Sequence, residues 1–113
     1  SSDLTALYRT EIREVLPMSE PIHLVVTLQV KPGHMDRLKQ ATAELVAASR
    51  QEAGCVSYGA AYAEDGVTAY IVEHWKDQAA LDAHNKTAHF IEGVKKLQDA
   101  CSTLQIHRVH WQG

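Results

Sequence analysis

The sequence predicts an α+β domain in which strands and helices follow one another in the order β-α-β-β-α-β. Residues 22–30 alternate apolar and mixed side chains as a strand does, and residues 34–53 have the apolar spacing of a helix. Asp65-Gly66, between two strand-like segments, is typical of a tight hairpin turn. This order predicts the ferredoxin-like arrangement, an antiparallel sheet ordered 4-1-3-2 with both helical regions on one face.

Composition limits the class of protein. A chain of 113 residues fits one domain, and 22% charged residues with a net charge of −3 are ordinary for a globular protein. The longest cluster of positive charge is the pair Lys95–Lys96, so nucleic acid is not expected as a partner. No apolar run approaches the length of a membrane span, and residues 24–26 are a strand-sized example. With no signal peptide visible, we expect a cytoplasmic protein.

The first residues form a segment of their own. Residues 1–17 have apolar side chains at helical spacing, with Asp3 as a candidate N-cap and Pro17 as a stop. They are either an extra N-terminal helix or an extension that precedes the natural start of the domain. We therefore predict a helical extension over 1–17 and a ferredoxin-like domain over 18–113.

The first strand suggests a partner. Ile22, Leu24, Val26, Leu28 and Val30 share one face. The other face, which includes Val25 and Thr27, is too apolar for open solvent, so both faces are expected to be covered. Helices cover one, and a second copy of the same sheet is the economical cover for the other. We predict a homodimer.

The remaining elements follow from turns and caps. Pro32-Gly33 is a turn, and the helix after it ends near Gly54, which suits a C-cap. Strands are expected over 55–63 and 67–75, and Asp77 is a good N-cap for a helical region that runs to about residue 100. This region is expected to break near 85–87. A last strand is predicted over 103–111.

Short stretches along the chain resemble a known family. They are "VKPG" after the first strand, "EAGCVSY", "VEHW" followed by "DQAALDAH", and "TAHF". Together they resemble the antibiotic biosynthesis monooxygenase domain family, within the dimeric α+β barrel superfamily, over residues 22–111. The resemblance implies a homodimer in which two sheets pack into a barrel and each subunit keeps a pocket between its sheet and its helices. Members include cofactor-free quinol monooxygenases, haem-degrading enzymes and isomerases of phosphorylated sugars.

His84 is the candidate for chemistry. The resemblance places a recurring histidine of "LDAH" beside the pocket. A neutral imidazole there could take a proton from a phenol or hydroquinone, because its unperturbed pKa lies near ~6.5. A resonance-stabilised phenolate can then pass an electron to O2 without a metal or flavin. The alternative is a structural histidine bonded to backbone carbonyls near a helix kink.

Several other side chains are expected to bind the substrate. Trp75 is expected to cover the face of an aromatic substrate, and the alternative is a core or interface tryptophan. Tyr58 either touches the pocket or packs in the core. Phe90 is expected at the pocket mouth. The full set of predicted substrate-binding residues is Trp75, Tyr58, Phe90, Leu81, Val26 and His89.

Glu73 is open to two interpretations. It shares a strand face with Ile71 and Trp75, whereas Tyr70, Val72 and His74 take the other face. If buried, Glu73 could act as a general acid or base. Otherwise it pairs with a cation across the sheet or the dimer, for which Arg108 is the candidate.

No metal or cofactor is predicted. His89 follows His84 by five residues, and on an unbroken helix this spacing does not place two side chains on one face. According to the resemblance, haem-degrading members carry an asparagine, a tryptophan and a histidine at the places of Val26, His84 and Val94. All three differ here, which argues against haem degradation. No nucleotide-binding or Ser/His/Asp motif is present.

Two functions from different classes follow. The first is a cofactor-independent monooxygenase that acts on a small aromatic, quinol-like compound. The second is a non-oxidative isomerase or a small-molecule binding protein, for which Lys86 and Lys95 are the nearest positive charges. Cys55 and Cys101 should lie on opposite edge strands, more than ~7 Å apart, and are therefore expected as two free thiols.

Overall fold

A computed structural model describes residues 20–112. The elements, in chain order, are β1 (Ile22–Val30), α1 (Met35–Arg50), β2 (Cys55–Tyr62), β3 (Thr68–Trp75), α2 (Gln78–Asn85), α3 (Ala88–Ala100) and β4 (Cys101–Val109). The helix predicted over residues 1–17 lies outside the described residues. Within residues 20–112, no helix is long and apolar enough to cross a membrane.

The four strands form one antiparallel sheet in the order β2-β3-β1-β4. This is the predicted 4-1-3-2 order, and the ferredoxin-like fold is confirmed. The central strand β1 places Val26 opposite Ile71 of β3 and Ile106 of β4. The register therefore brings apolar side chains from three strands together on the face that α1 and α3 cover.

The core lies between this sheet face and the helices. From β1 the buried side chains are Ile22, Val26, Leu28 and Val30, as the alternation predicts. From α1 they are Leu38, Ala41, Thr42, Leu45 and Ser49, and from α3 Gly93, Leu97 and Ala100. Within residues 20–112 no helix lies on the opposite sheet face, where Val25 and Thr27 are half-buried.

The predicted break in the second helical region is present. Asp77 caps α2 by accepting a hydrogen bond from the backbone N–H of Ala80 at 2.9 Å. Thr87 then separates α2 from α3, because its hydroxyl donates to the carbonyl of His84 at 2.8 Å and accepts from the N–H of Phe90 at 3.1 Å. One side chain thus ends the first helix and caps the second.

The last strand differs from its prediction by two residues at each end. It spans residues 101–109 rather than 103–111, because α3 passes into β4 without a loop. The backbone N–H of Lys31 donates to the carbonyl of Ala100 at 2.9 Å, and the ammonium of Lys31 donates to the carbonyl of Asp99 at 3.0 Å. These bonds satisfy the last carbonyls of α3, so no cap residue is needed.

The two cysteines are free, as predicted. Cys55 begins β2 and Cys101 begins β4, the two edge strands of the sheet. Burial raises the pKa of both thiols, so neither is a reactive thiolate at neutral pH.

Gly54 provides a test of the packing between α2 and the segment that enters β2. A Cβ atom at Gly54 would lie 2.3 Å from the Cβ of Ala80 and 3.3 Å from its Cα. The carbonyl of Gly54 also accepts the N–H of Lys76 at 3.0 Å, which holds this segment in place. We expect Gly54→Ala to lower the free energy of unfolding by about 1–3 kcal/mol, measured by urea denaturation.

Gly59→Ala is the matched control, because the nearest heavy atom to its added Cβ is the Arg50 guanidinium at 3.9 Å. Adding Ala80→Gly to Gly54→Ala should recover part of the loss, since the closest clash is with the Ala80 methyl group. A Gly54→Ala protein as stable as Gly59→Ala would contradict this description of the α2 contact.

Candidate functional site

A small cavity lies between the helix-facing side of the sheet and helices α1 and α3. Its walls are apolar except for the Tyr58 phenol and the Glu73 carboxyl group. The lining residues are Val26, Leu45, Tyr58, Ile71, Glu73, Phe90, Val94, Leu97, Leu104 and Ile106. All four strands contribute to it, so it exists only once the whole sheet is formed.

The cavity is narrow in this conformation. Its volume is about 40 Å³, which is on the scale of one water molecule's share of the liquid. Ile106 is 59% exposed and Phe90 is half-buried, so these two side chains border the route from solvent. An aromatic ring needs more room, and side-chain movement at this rim is the simplest way to supply it.

Glu73 is the charged residue of the cavity wall. It is 6% exposed, and one carboxyl oxygen, Oε1, accepts a hydrogen bond from the indole N–H of Trp75 at 2.9 Å. Among residues 20–112, no cation forms an ion pair with it. Burial raises the pKa of Glu73 to about 7, opposed by the Trp75 hydrogen bond and reinforced by the negative charge of Glu52.

Trp75 connects the cavity to a second polar group. Its side chain is fully buried, and its indole ring lies against the His84 imidazole with the ring centroids 4.4 Å apart. Tyr58 meets the same indole edge-on at 6.1 Å. Trp75 is not part of the cavity wall; it holds Glu73 on the wall through its N–H and covers His84 with its face.

His84 is 1% exposed and lies behind the rings of Tyr58 and Phe90. Its Nδ1 atom is 2.6 Å from Oε2 of Glu52, and because a carboxylate only accepts, Nδ1 carries the proton of this bond. Its Nε2 atom is buried and has no hydrogen-bond partner among the described residues. Burial lowers the pKa of His84, and although Glu52 opposes this effect, the imidazole is neutral at pH 7 with a free lone pair on Nε2.

The same carboxylate oxygen of Glu52 binds a second histidine. Nε2 of His89 lies 2.8 Å from it. The argument that a five-residue spacing separates His84 from His89 assumes an unbroken helix, and the break at Thr87 removes that assumption. Glu52, with a side chain 16% exposed, thereby ties the segment after α1 to both α2 and α3.

Glu52, His84 and His89 are also the described residues that could hold a metal ion. Their ligand atoms all lie within 4.8 Å of one another. The N–O distances of 2.6 and 2.8 Å are those of hydrogen bonds. Donor atoms around a tetrahedral zinc ion stand roughly 3.3 Å apart, so a metal would have to separate the three groups and displace two protons.

The predicted site residues fall into two layers. Val26, Tyr58 and Phe90 line the cavity, whereas Trp75 and His84 lie behind that wall. Leu81 is half-buried against the core, and His89 contacts Glu52. The sequence interpretation missed Glu52, which stands after the end of α1 with no periodic pattern to single it out. It also left Glu73 out of the predicted set.

The suggested pairing of Glu73 with Arg108 across the sheet is wrong, whereas a pairing across a dimer stays a prediction. The strand order places β1 between them, with Leu24 opposite each residue. Two strand spacings, about 10 Å, therefore separate their backbones, and Arg108 is exposed. Glu73 takes its hydrogen bond from Trp75 instead, within its own strand.

This arrangement is suited to proton transfer in an apolar space. One tryptophan holds a carboxyl group of raised pKa at its N–H edge and a neutral imidazole against its ring face, and the carboxyl group lines a cavity whose wall is mostly hydrocarbon. Neither Lys86 nor Lys95 lines the cavity, so it offers no cation for a phosphate group.

Known proteins share this fold and part of this sequence. The family model described as antibiotic biosynthesis monooxygenase matches residues 21–96. An uncharacterized protein of Synechocystis is 31% identical over 87 residues, which are 76% of this chain and 59% of that protein. The Bacillus subtilis protein YcnE, provisionally named a monooxygenase, is 35% identical over 72% of this chain and 86% of its own length.

The solved structures agree with this relationship. The crystal structure of a Pseudomonas aeruginosa protein matches with a TM-score of 0.77 and 33% identity, over 85% of this chain and 98% of that one. The family match covers the first three strands, both sides of the helix break, and Glu52, Glu73, Trp75, His84 and His89. By this match and this fold, the chain belongs to the antibiotic biosynthesis monooxygenase family.

Proposed function

We propose that the protein is a cofactor-independent monooxygenase that oxidises a small aromatic, quinol-like compound with O2. The observation that supports it best is the buried, neutral His84, whose Nε2 has no hydrogen-bond partner among the described residues and whose ring packs on Tyr58 and Phe90, two residues that line the apolar cavity. Family membership and the provisional monooxygenase name of a relative support the reaction class. The substrate class rests on the apolar lining of the cavity.

In this proposal His84 is the base. Its imidazole is separated from the cavity by the rings of Tyr58 and Phe90, at centroid distances of 5.7 and 5.1 Å. Phe90 lies in the first turn of α3, directly after the break at Thr87, and is half-buried. Rotation of Phe90 both enlarges the cavity and gives a substrate hydroxyl access to Nε2. Glu52 holds the imidazole in the tautomer that leaves Nε2 free.

The other predicted residues support this site. Val26, Tyr58 and Phe90 contact the aromatic ring of the substrate, and Trp75 and Leu81 pack behind them. His89 keeps the Glu52 carboxylate in place. No metal or organic cofactor takes part in the proposed reaction.

The chemistry balances without a cofactor. His84 removes a hydroxyl proton from the quinol, and the electron pair of the broken O–H bond remains on the substrate oxygen. The phenolate passes one electron to O2, the resulting superoxide joins the ring carbon, and the peroxide is protonated. Loss of water, with cleavage of the O–O bond, then leaves a hydroxyquinone, so that quinol plus O2 gives hydroxyquinone plus H2O.

We also propose a homodimer in a reducing, cytoplasmic setting. The sheet face opposite α1 and α3 carries half-buried Val25 and Thr27 and the exposed Val72. On the same face His23 and His74 stack with their ring centroids 4.0 Å apart. A second sheet packed on this surface would bury its apolar part. The reducing setting is supported by the two free thiols, which are typical of such a compartment.

The alternative of a phosphate-binding isomerase has less support, because the cavity wall contains no lysine or arginine. A thermal-shift screen distinguishes the two functions: stabilisation by sugar phosphates, and not by hydroquinones, would favour the isomerase.

His84→Ala should abolish oxygen consumption. We expect the apo protein to consume O2 with hydroquinones or anthrones, and the variant to lose at least about 100-fold in kcat/KM, because general-base catalysis contributes roughly that much or more. An oxygen electrode gives the rate. The matched control is His34→Ala, which removes a histidine at the start of α1, away from the cavity. No oxygen uptake by the wild type above His84→Ala, across the substrate panel, would count against the proposal.

Light scattering tests the dimer. At micromolar concentration the protein should have about twice the subunit mass of 12.5 kDa. Val72→Lys should give monomers, because it places a charge in the proposed contact, whereas Ile91→Lys, on the exposed side of α3, should leave the dimer intact. A monomer mass for the wild-type protein would contradict the proposed dimer.

A further inference from the structure

Glu73 is costly to the fold, and in residues 20–112 the hydrogen bond from the Trp75 indole is its one side-chain bond, with no cation paired to it. It occupies a helix-facing position of β3, between buried Ile71 and Trp75, where an apolar residue would pack. An ionised carboxylate removed from water loses much of its hydration energy. A carboxyl group retained in such a place is expected to be neutral or to meet a ligand there.

The elements packed around Glu73 offer it little charge. From β2 it faces Tyr58, whose phenol stays protonated because burial raises its pKa. From β1 it faces Leu24, and beyond Leu24 the exposed Arg108 of β4. The cavity-lining residues of α1 and α3, which are Leu45, Phe90, Val94 and Leu97, are all apolar.

Two ionisable groups are farther away. Glu52 follows α1, and its negative charge opposes ionisation of Glu73. His84 of α2 lies across the Trp75 ring and is neutral because burial lowers its pKa. The environment of Glu73 therefore favours the protonated carboxyl group, whereas that of His84 favours the free base.

The hydrogen bonds of Glu73 leave one oxygen available. Oε1 accepts the indole N–H of Trp75, and in residues 20–112 no hydrogen bond is made by Oε2. Since Glu73 lines the cavity, the O–H of its protonated form can point to a ligand there.

We propose that Glu73, in its protonated form, donates a hydrogen bond to the substrate oxygen that becomes negative when His84 removes a proton. This inference rests on the proposed function and adds a second catalytic residue to it. Two neutral groups, one a base and one a donor, then act on one substrate, and both are in contact with Trp75.

The step conserves atoms and charge. The substrate O–H bond breaks, its proton goes to Nε2 of His84, and the electron pair stays on the substrate oxygen. Glu73 keeps its own proton, and its hydrogen bond to that oxygen becomes charge-assisted and stronger.

Binding of acetophenone tests the donor without oxygen chemistry, because its carbonyl group accepts a hydrogen bond and cannot donate one. The wild type should bind acetophenone at least about tenfold more tightly at pH 6 than at pH 8.5, since Glu73, with a pKa of about 7, loses its proton in that interval. Glu73→Gln keeps an N–H donor and should bind equally at both pH values. Glu73→Leu should bind weakly at both.

The infrared band of the acetophenone carbonyl identifies the contact. It should move to lower frequency when bound to the wild type at pH 6, and not when bound to Glu73→Leu. Circular dichroism establishes that each variant is folded. Equal affinity and an equal carbonyl band for the wild type and Glu73→Leu would overturn the proposal.

Oxygen consumption separates this inference from the proposed function. In an active wild type, kcat/KM should fall as pH rises through about 7, and this decline should disappear in Glu73→Gln. If the wild type is active and Glu73→Leu has the same pH profile, then the proposed role of Glu73 is wrong and the proposed monooxygenase function is unaffected. If the wild type is inactive but binds acetophenone more tightly at pH 6 than at pH 8.5, then the proposed monooxygenase function is wrong and the Glu73 donor site is unaffected.

Discussion

The buried indole of Trp75 is the contact on which the site depends. Its N–H holds Glu73 at 2.9 Å, and its face covers His84 at a centroid distance of 4.4 Å. Because the indole is fully buried, it shields each group from solvent on the side that it covers. The same burial raises the pKa of the acid and lowers the pKa of the imidazole. A smaller side chain at this position would admit water and bring the pKa of Glu73 and the pKa of His84 back toward their ordinary values.

Glu52 supplies the other constraint. One carboxylate oxygen accepts from His84 and from His89, which lie on different helices. The break at Thr87 makes this possible, since it turns α3 so that both imidazoles reach the same oxygen. These hydrogen bonds fix the orientation of His84 and leave its Nε2 atom without a hydrogen-bond partner among the described residues. A buried polar atom without a partner lowers the free energy of unfolding, and a purely structural histidine would not need to carry that cost.

Much of the fold could be predicted from the sequence, because local patterns specify it. The alternation in residues 22–30 gave the buried face of β1, the Asp65-Gly66 turn gave the β2–β3 hairpin, and Asp77 gave the start of α2. The strand order followed from the order of elements. The start of β4 was harder, since α3 passes directly into it and bonds from Lys31 replace the loop that the sequence suggested.

The candidate site could be predicted only in part. His84 was predicted from a family motif, and strand alternation placed Glu73 on the face of Trp75 without adding it to the predicted set; the partners of both depend on tertiary contacts. Glu52 lies 32 residues before His84 along the chain, in a segment without periodicity. The preference of Glu73 for Trp75 over Arg108 depends on β1 lying between β3 and β4. These contacts form only when the sheet assembles, so no local sequence pattern predicts them.

Site-resolved NMR titration tests the central claim most directly. The side-chain carboxyl carbon of Glu73 and the imidazole nitrogens of His84 would be followed from pH 4 to 9 in the unliganded protein. The account predicts that Glu73 titrates near pH 7 and that His84 stays neutral to below its ordinary pKa, with the proton on Nδ1. A Glu73 that titrates at the ordinary value of about 4.3, or a His84 protonated at pH 7, would contradict it.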